Sequence, residues 1–69
     1  MLIQLTKDKN GTRWGKSVNA TGRVLIVSDT AGPLLGTLPD RYTHGTAEDA
    51  LADAEALVAG LLSEGWAVA

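Results

Sequence analysis

The sequence predicts an α+β fold, a small two-layer domain in which a three-stranded antiparallel meander is packed by one C-terminal helix. Three observations predict it. Short β-compatible stretches at 2–7, 12–18 and 24–28 are separated by the turn signals Asn10-Gly11 and Asn19 to Gly22. From Ala47 to Gly65 the apolar residues recur at helical spacing. The chain has 69 residues, enough for a single domain over 1–69 and too few for a parallel sheet with its long crossovers.

In the first strand Ile3 and Leu5 share one side by the two-residue period. Asn10-Gly11 is a strong hairpin signal, because both residues tolerate positive φ. In the second strand Trp14 and Val18 mark the inward side. Lys16 interrupts it and is expected to snorkel at an edge. The third strand, Val24 to Ser28, is the most apolar segment and three of its five residues are β-branched. Residues 29–45 read as an irregular crossover with room for a short edge strand. Asp29 to Pro33 forms a turn, and Leu34, Leu35 and Leu38 are expected to cover one end of the core. Exposed, they would form a contact patch.

The helix opens on Thr46 as N-cap, with Asp49 at the capping-box position. At 100° per residue, Ala47, Ala50, Leu51, Ala54, Leu57, Val58, Leu61, Leu62 and Gly65 fall within an arc of about 140°. That arc is expected to face the sheet, with Glu48, Asp49, Asp53, Glu55 and Glu64 turned outward. Gly65 suits a left-handed C-cap. Trp66 and Val68 then alternate, so a short fourth strand is expected after the helix, giving the order βββαβ.

Composition excludes several chemistries. There is no cysteine, hence no disulfide and no thiolate nucleophile or zinc ligand. One histidine excludes a His-rich metal site, and no cofactor or metal is read from the chain. No apolar run approaches 18 residues and no secretory leader is present, so a soluble cytoplasmic protein without a membrane partner is expected. Gly11 to Ser17 looks like a phosphate loop but has three residues between its glycines where the motif needs about four and a following helix. Asp29-Thr30-Ala31-Gly32 resembles the metal-side motif of small GTPases, yet no helix separates the two segments.

His44 precedes the N-cap. A ribonuclease reading would use it as a base with Arg41 or Lys16 against a phosphate. The plainer expectation is that it packs at the loop–helix junction. Arg13, Lys16 and Arg23 lie near Trp14, the pattern of an electropositive track with a stacking aromatic. Single-stranded nucleic acid would bind there only if Trp14 faces away from the helix.

Charge is unevenly distributed. Residues 1–41 carry all six bases and three acids, a sum of +3; residues 42–69 carry five acids and no base, a sum of -5. An acidic helix can meet a basic protein.

Leu38-Pro39-Asp40-Arg41-Tyr42-Thr43-His44-Gly45-Thr46 and the helix start Glu48-Asp49-Ala50 resemble the central segment of HicB-like antitoxin domains, over residues 38–55. Asp40 stands where that family commonly has glycine and Arg41 where it has cysteine. Arg13-Trp14, the strand Val24 to Ser28, Tyr42 and the alanine-rich helix are similar to small YegP-like domains, whose function is poorly defined. Either resemblance implies a meander backed by one helix. The HicB-like one implies a non-enzymatic protein-binding module that neutralises a small basic ribonuclease, with Glu48, Asp49, Asp53 and Glu55 as contacts and Arg41 and Tyr42 as anchors beside them. A homodimer is also expected, paired sheet-to-sheet or edge-to-edge if Trp14, Leu25 and Val27 point away from the helix.

Overall fold

The computed structural model describes residues 1–69. The elements are β1 (Leu2–Lys9), β2 (Thr12–Thr21), β3 (Val24–Ala31), β4 (Asp40–Thr43), α1 (Ala47–Ser63) and β5 (Ala67–Val68). They form one antiparallel sheet in the order β4-β3-β2-β1-β5, with α1 packed on β2 and β3. The fold is therefore the expected α+β meander backed by a C-terminal helix, with five strands rather than three or four. The added strand, β4, is the short edge strand for which the crossover of residues 29–45 left room. Its four residues pair with Val24 to Val27 and complete one edge of the sheet.

Local chemistry explains the turns. Asn10 and Gly11 have φ of 52° and 78° and close β1 onto β2 in a two-residue turn. The next turn is Gly22-Arg23, with Gly22 at φ 56°, so β2 continues through the residues expected to turn. Cross-strand pairing carries β1 and β3 past their expected ends as well, into Asp8, Lys9 and Asp29, residues of low strand preference.

The register of β2 on β3 shifts between Gly15 and Lys16. Thr30 is the extra residue of this bulge. A Cβ on Gly15 would lie 2.5 Å from Thr30 Oγ1 and 3.2 Å from the Ala31 backbone nitrogen. Only glycine admits that approach.

The helix begins as expected. Asp49 N–H donates to Thr46 Oγ1 at 3.1 Å. It ends in a Schellman turn: Gly65 has φ 99°, Gly65 N–H donates to Leu62 O and Trp66 N–H to Leu61 O. The last turn holds no basic residue of its own. The Lys7 ammonium reaches across from β1 and donates to Glu64 O at 2.6 Å, supplying the cation that the carbonyl end of the helix favours.

The buried helical stripe is narrower than the apolar arc. Ala50, Ala54, Val58 and Leu61 are buried and Leu57 is half-buried, whereas Leu51 and Leu62 are 40% and 45% exposed. The helix meets the sheet through the small faces of Ala50 and Ala54, both fully buried. Leu51 and Leu62 lie past Val58 on one flank and stay in water. The core is Leu5, Val18, Ala20, Leu25, Ala54, Val58 and Leu61, with Ile3, Val27, Leu57 and Trp66 around it.

Candidate functional site

Strand alternation assigns every residue of the sheet to a face. The pairs Leu25↔Tyr42 and Val27↔Asp40 put these four side chains on the helix side. Lys16 joins them through Lys16↔Asp29. On α1, Asp53, Leu57 and Leu61 recur every four residues and line the flank that faces β4. Because α1 sits over β2 and β3, β4 is left uncovered. The gap is a cleft of about 440 Å³ lined by Lys16, Leu25, Val27, Asp40, Tyr42, Asp53, Leu57 and Leu61.

The floor of the cleft is aliphatic and its rim carries charge. The Lys16 ammonium is 3.0 Å from Asp29 Oδ1, with the two side chains 25% and 18% exposed, and lies 5.8 Å from the centre of the Trp66 ring. Lys16 thus stands in the middle strand on the inner face, held by a carboxylate and an indole, and not at the edge where a snorkelling lysine was expected. Asp53 Oδ2 is 2.9 Å from His44 Nε2. Asp40 forms no ion pair.

His44 is a strut at the loop–helix junction. Its N–H donates to Arg23 O at 2.8 Å, its Nε2 meets Asp53, and its Nδ1 is buried without a partner. Arg41 pairs with Ile26 on the reverse face of the sheet and Lys16 is held by Asp29. Neither stands with His44 as the ribonuclease reading required. No three carboxylate or histidine side chains come close enough to share a metal ion, and no helix is long and apolar enough to cross a membrane.

The six residues expected at a protein contact fall on three surfaces. Tyr42, Asp49 and Asp53 lie on the cleft side, Asp49 being one turn before Asp53 on the same stripe. Glu48 and Glu55 lie on the opposite flank of α1, beside Leu51, and Arg41 is on the reverse face of the sheet. Asp40 is not among those six, yet it lies two residues before Tyr42, shares its face and lines the same cleft.

The four residues of the nucleic-acid reading do not form one surface. Trp14 pairs with Lys7 on the helix side and packs against Gly32, where an added Cβ would lie 3.4 Å from the indole. The stacking condition, Trp14 facing away from the helix, is not met. Arg13 is on the reverse face and binds Asp8 through two nitrogens at 3.1 and 3.3 Å. Lys16 is turned inward, and Arg23 occupies the turn at the other end of β2. Leu25 and Val27 also face the helix, so the sheet-to-sheet pairing expected from Trp14, Leu25 and Val27 loses its basis. The reverse face instead carries Gln4, Ser17, Asn19, Thr21 and Ser28 around half-buried Val24 and Ile26.

The loop from Gly32 to Pro39 corrects another expectation. Leu34, Leu35 and Leu38 are exposed, Leu38 by 91%, and cover no part of the core. The loop is nonetheless ordered by hydrogen bonds. Leu35 N–H donates to Gly32 O, Thr37 N–H to Leu34 O, and Thr37 Oγ1 to Leu34 O at 2.8 Å. It delivers the chain through Pro39 directly to Asp40 at the lip of the cleft.

Comparison with protein-family models, curated proteins and solved structures finds no match for this chain. The HicB-like and YegP-like resemblances rest on the residues quoted for them.

Proposed function

We propose that this chain is a small non-enzymatic protein-binding module that holds a basic protein partner along the cleft between β4 and α1. The observation that carries the reading is Asp40, a carboxylate without a cation on the lip of an aliphatic cleft, with Asp53 across from it. A partner's lysine or arginine supplies the missing charge while its apolar neighbours cover Leu57 and Tyr42. The exposed leucines of the Gly32–Pro39 loop extend the apolar contact beside the acidic lip. If the HicB-like resemblance of residues 38–55 is followed, the partner is a basic ribonuclease held inactive, an antitoxin-like role.

Selection from a displayed library of random peptides tests this. Enriched sequences should combine lysine or arginine with apolar residues. Asp40→Asn and Asp53→Asn should each weaken binding about threefold to fivefold, the worth of a partly exposed charge pair. Enrichment of acidic sequences, or of none above background, would sink the reading.

A further inference from the structure

We infer that the partner binds by strand addition: an extended segment of it pairs with the free edge of β4 and presents the pattern apolar–any–basic, read from its N-terminal side, to the cleft. This rests on the basic-partner reading above and specifies its geometry.

The backbone of β4 carries the first part. β4 pairs only with β3, and all four of its residues are exposed. His44 N–H donates to Arg23 O, which fixes the phase of the antiparallel ladder. Hydrogen-bonded pairs alternate with non-hydrogen-bonded ones, so Tyr42 and Asp40 aim their N–H and C=O groups at β3. Arg41 and Thr43 aim theirs outward. No other backbone group accepts from or donates to these four outward groups. They match the hydrogen-bonding face of one incoming antiparallel strand.

The side chains fix what that strand carries. Residues opposite Tyr42 and Asp40 would form the non-hydrogen-bonded pairs, whose side chains come closest. Both would point to the helix side, at the outer lip of the cleft. The residue opposite Tyr42 meets the phenol ring and the aliphatic floor, so it is apolar. The residue opposite Asp40 meets the unpaired carboxylate, so it is lysine or arginine. The residue between them bonds Arg41 with its backbone and turns its side chain to the reverse face. A second copy of this chain fits less well. Centring the pair on Arg41 sets two guanidinium groups opposite each other, and centring it on Tyr42 sets Asp40 opposite His44. Neither register places a lysine or arginine opposite Asp40.

Backbone methylation of the selected peptides, measured with the full chain, tests the mode of binding. N-methylation of the residue between the apolar and basic positions removes the donor to Arg41 O and should weaken binding about tenfold or more. N-methylation of the basic residue, whose N–H points away, should change it less than about twofold. Peptide binding should also slow hydrogen exchange at the Arg41 and Thr43 amides by about tenfold while leaving the Tyr42 amide, already paired with β3, unchanged. On the protein side, Thr43→Pro removes one outward donor, leaves the β3 ladder intact and should weaken peptide binding about fivefold with an unaltered circular dichroism spectrum. If methylation is tolerated at every position while Asp40→Asn still weakens binding, strand addition is wrong and the basic-partner reading stands. If Asp40→Asn leaves binding unchanged, both fall. A particle of twice 7.2 kDa without peptide, with the Arg41 and Thr43 amides already protected, would replace the foreign strand by a second copy.

Discussion

Two glycines with opposite surroundings show how single residues set the limits of this fold. Gly15 lies under Thr30 at the bulge, with no room for a methyl group. Gly60 lies on the outer side of α1 with nothing within 4 Å of where a Cβ would stand. Gly15→Ala should therefore cost about 1–3 kcal/mol through forced displacement of Thr30 and the Ala31 backbone. Gly60→Ala should gain about 0.5–1 kcal/mol, because it only removes backbone freedom from the unfolded chain. Urea denaturation of the two variants checks both signs. Equal effects would mean that the bulge is not where the register places it. Lys16 shows what sequence spacing conceals. Its charge looks misplaced among Trp14 and Val18, and the reason it is not, Asp29, lies 13 residues away on the neighbouring strand.

Among the elements, those governed by local chemistry were legible in the sequence. The Asn10-Gly11 hairpin, the Thr46 cap and the Gly65 stop each depend on one or two residues and their neighbours. β4 was legible only as room for a short edge strand, because Asp40-Arg41-Tyr42-Thr43 has neither an apolar alternation nor a β-branched run. It is a strand because β3 offers it an edge. Tyr42 and Asp53 are among the residues the sequence singles out for a protein contact, and both line the cleft. The cleft between them was not, since an uncovered strip of sheet follows from how far the helix reaches, and that is set by packing. Helix seating gives the prediction at this scale. Thr46→Ala should cost about 1 kcal/mol and Val58→Ala about 1–2 kcal/mol. Leu51→Lys and Leu62→Lys should stay within about 0.5 kcal/mol. A Leu51→Lys variant as unstable as Val58→Ala would show that α1 is rotated from this seating.

At the scale of the whole molecule, the charge asymmetry of the sequence becomes an asymmetry of layers. Much of the sheet's positive charge is committed internally, Arg13 to Asp8, Lys16 to Asp29 and Lys7 to the helix end. On α1 only Asp53 has an ionisable partner, His44, and the other carboxylates face water unpaired. The field outside the helical layer is thus negative, the sign that would steer the proposed basic partner toward the cleft. Raising salt from about 0.05 to 0.5 M should slow association with a basic peptide about tenfold and change dissociation less than about twofold. Surface plasmon resonance separates the two rates, and a salt effect confined to dissociation would contradict steering.

The placement of Lys16 has one more consequence. Its ammonium lies over the Trp66 indole and the residue lines the cleft. An occupant that draws the Lys16 ammonium away from that ring, 5.8 Å from its centre, changes the colour and yield of the indole's fluorescence. The other indole, Trp14, is packed against Gly32 and lines no part of the cleft. With Trp14 exchanged for phenylalanine, the protein becomes its own optical gauge of occupancy, needing no attached dye.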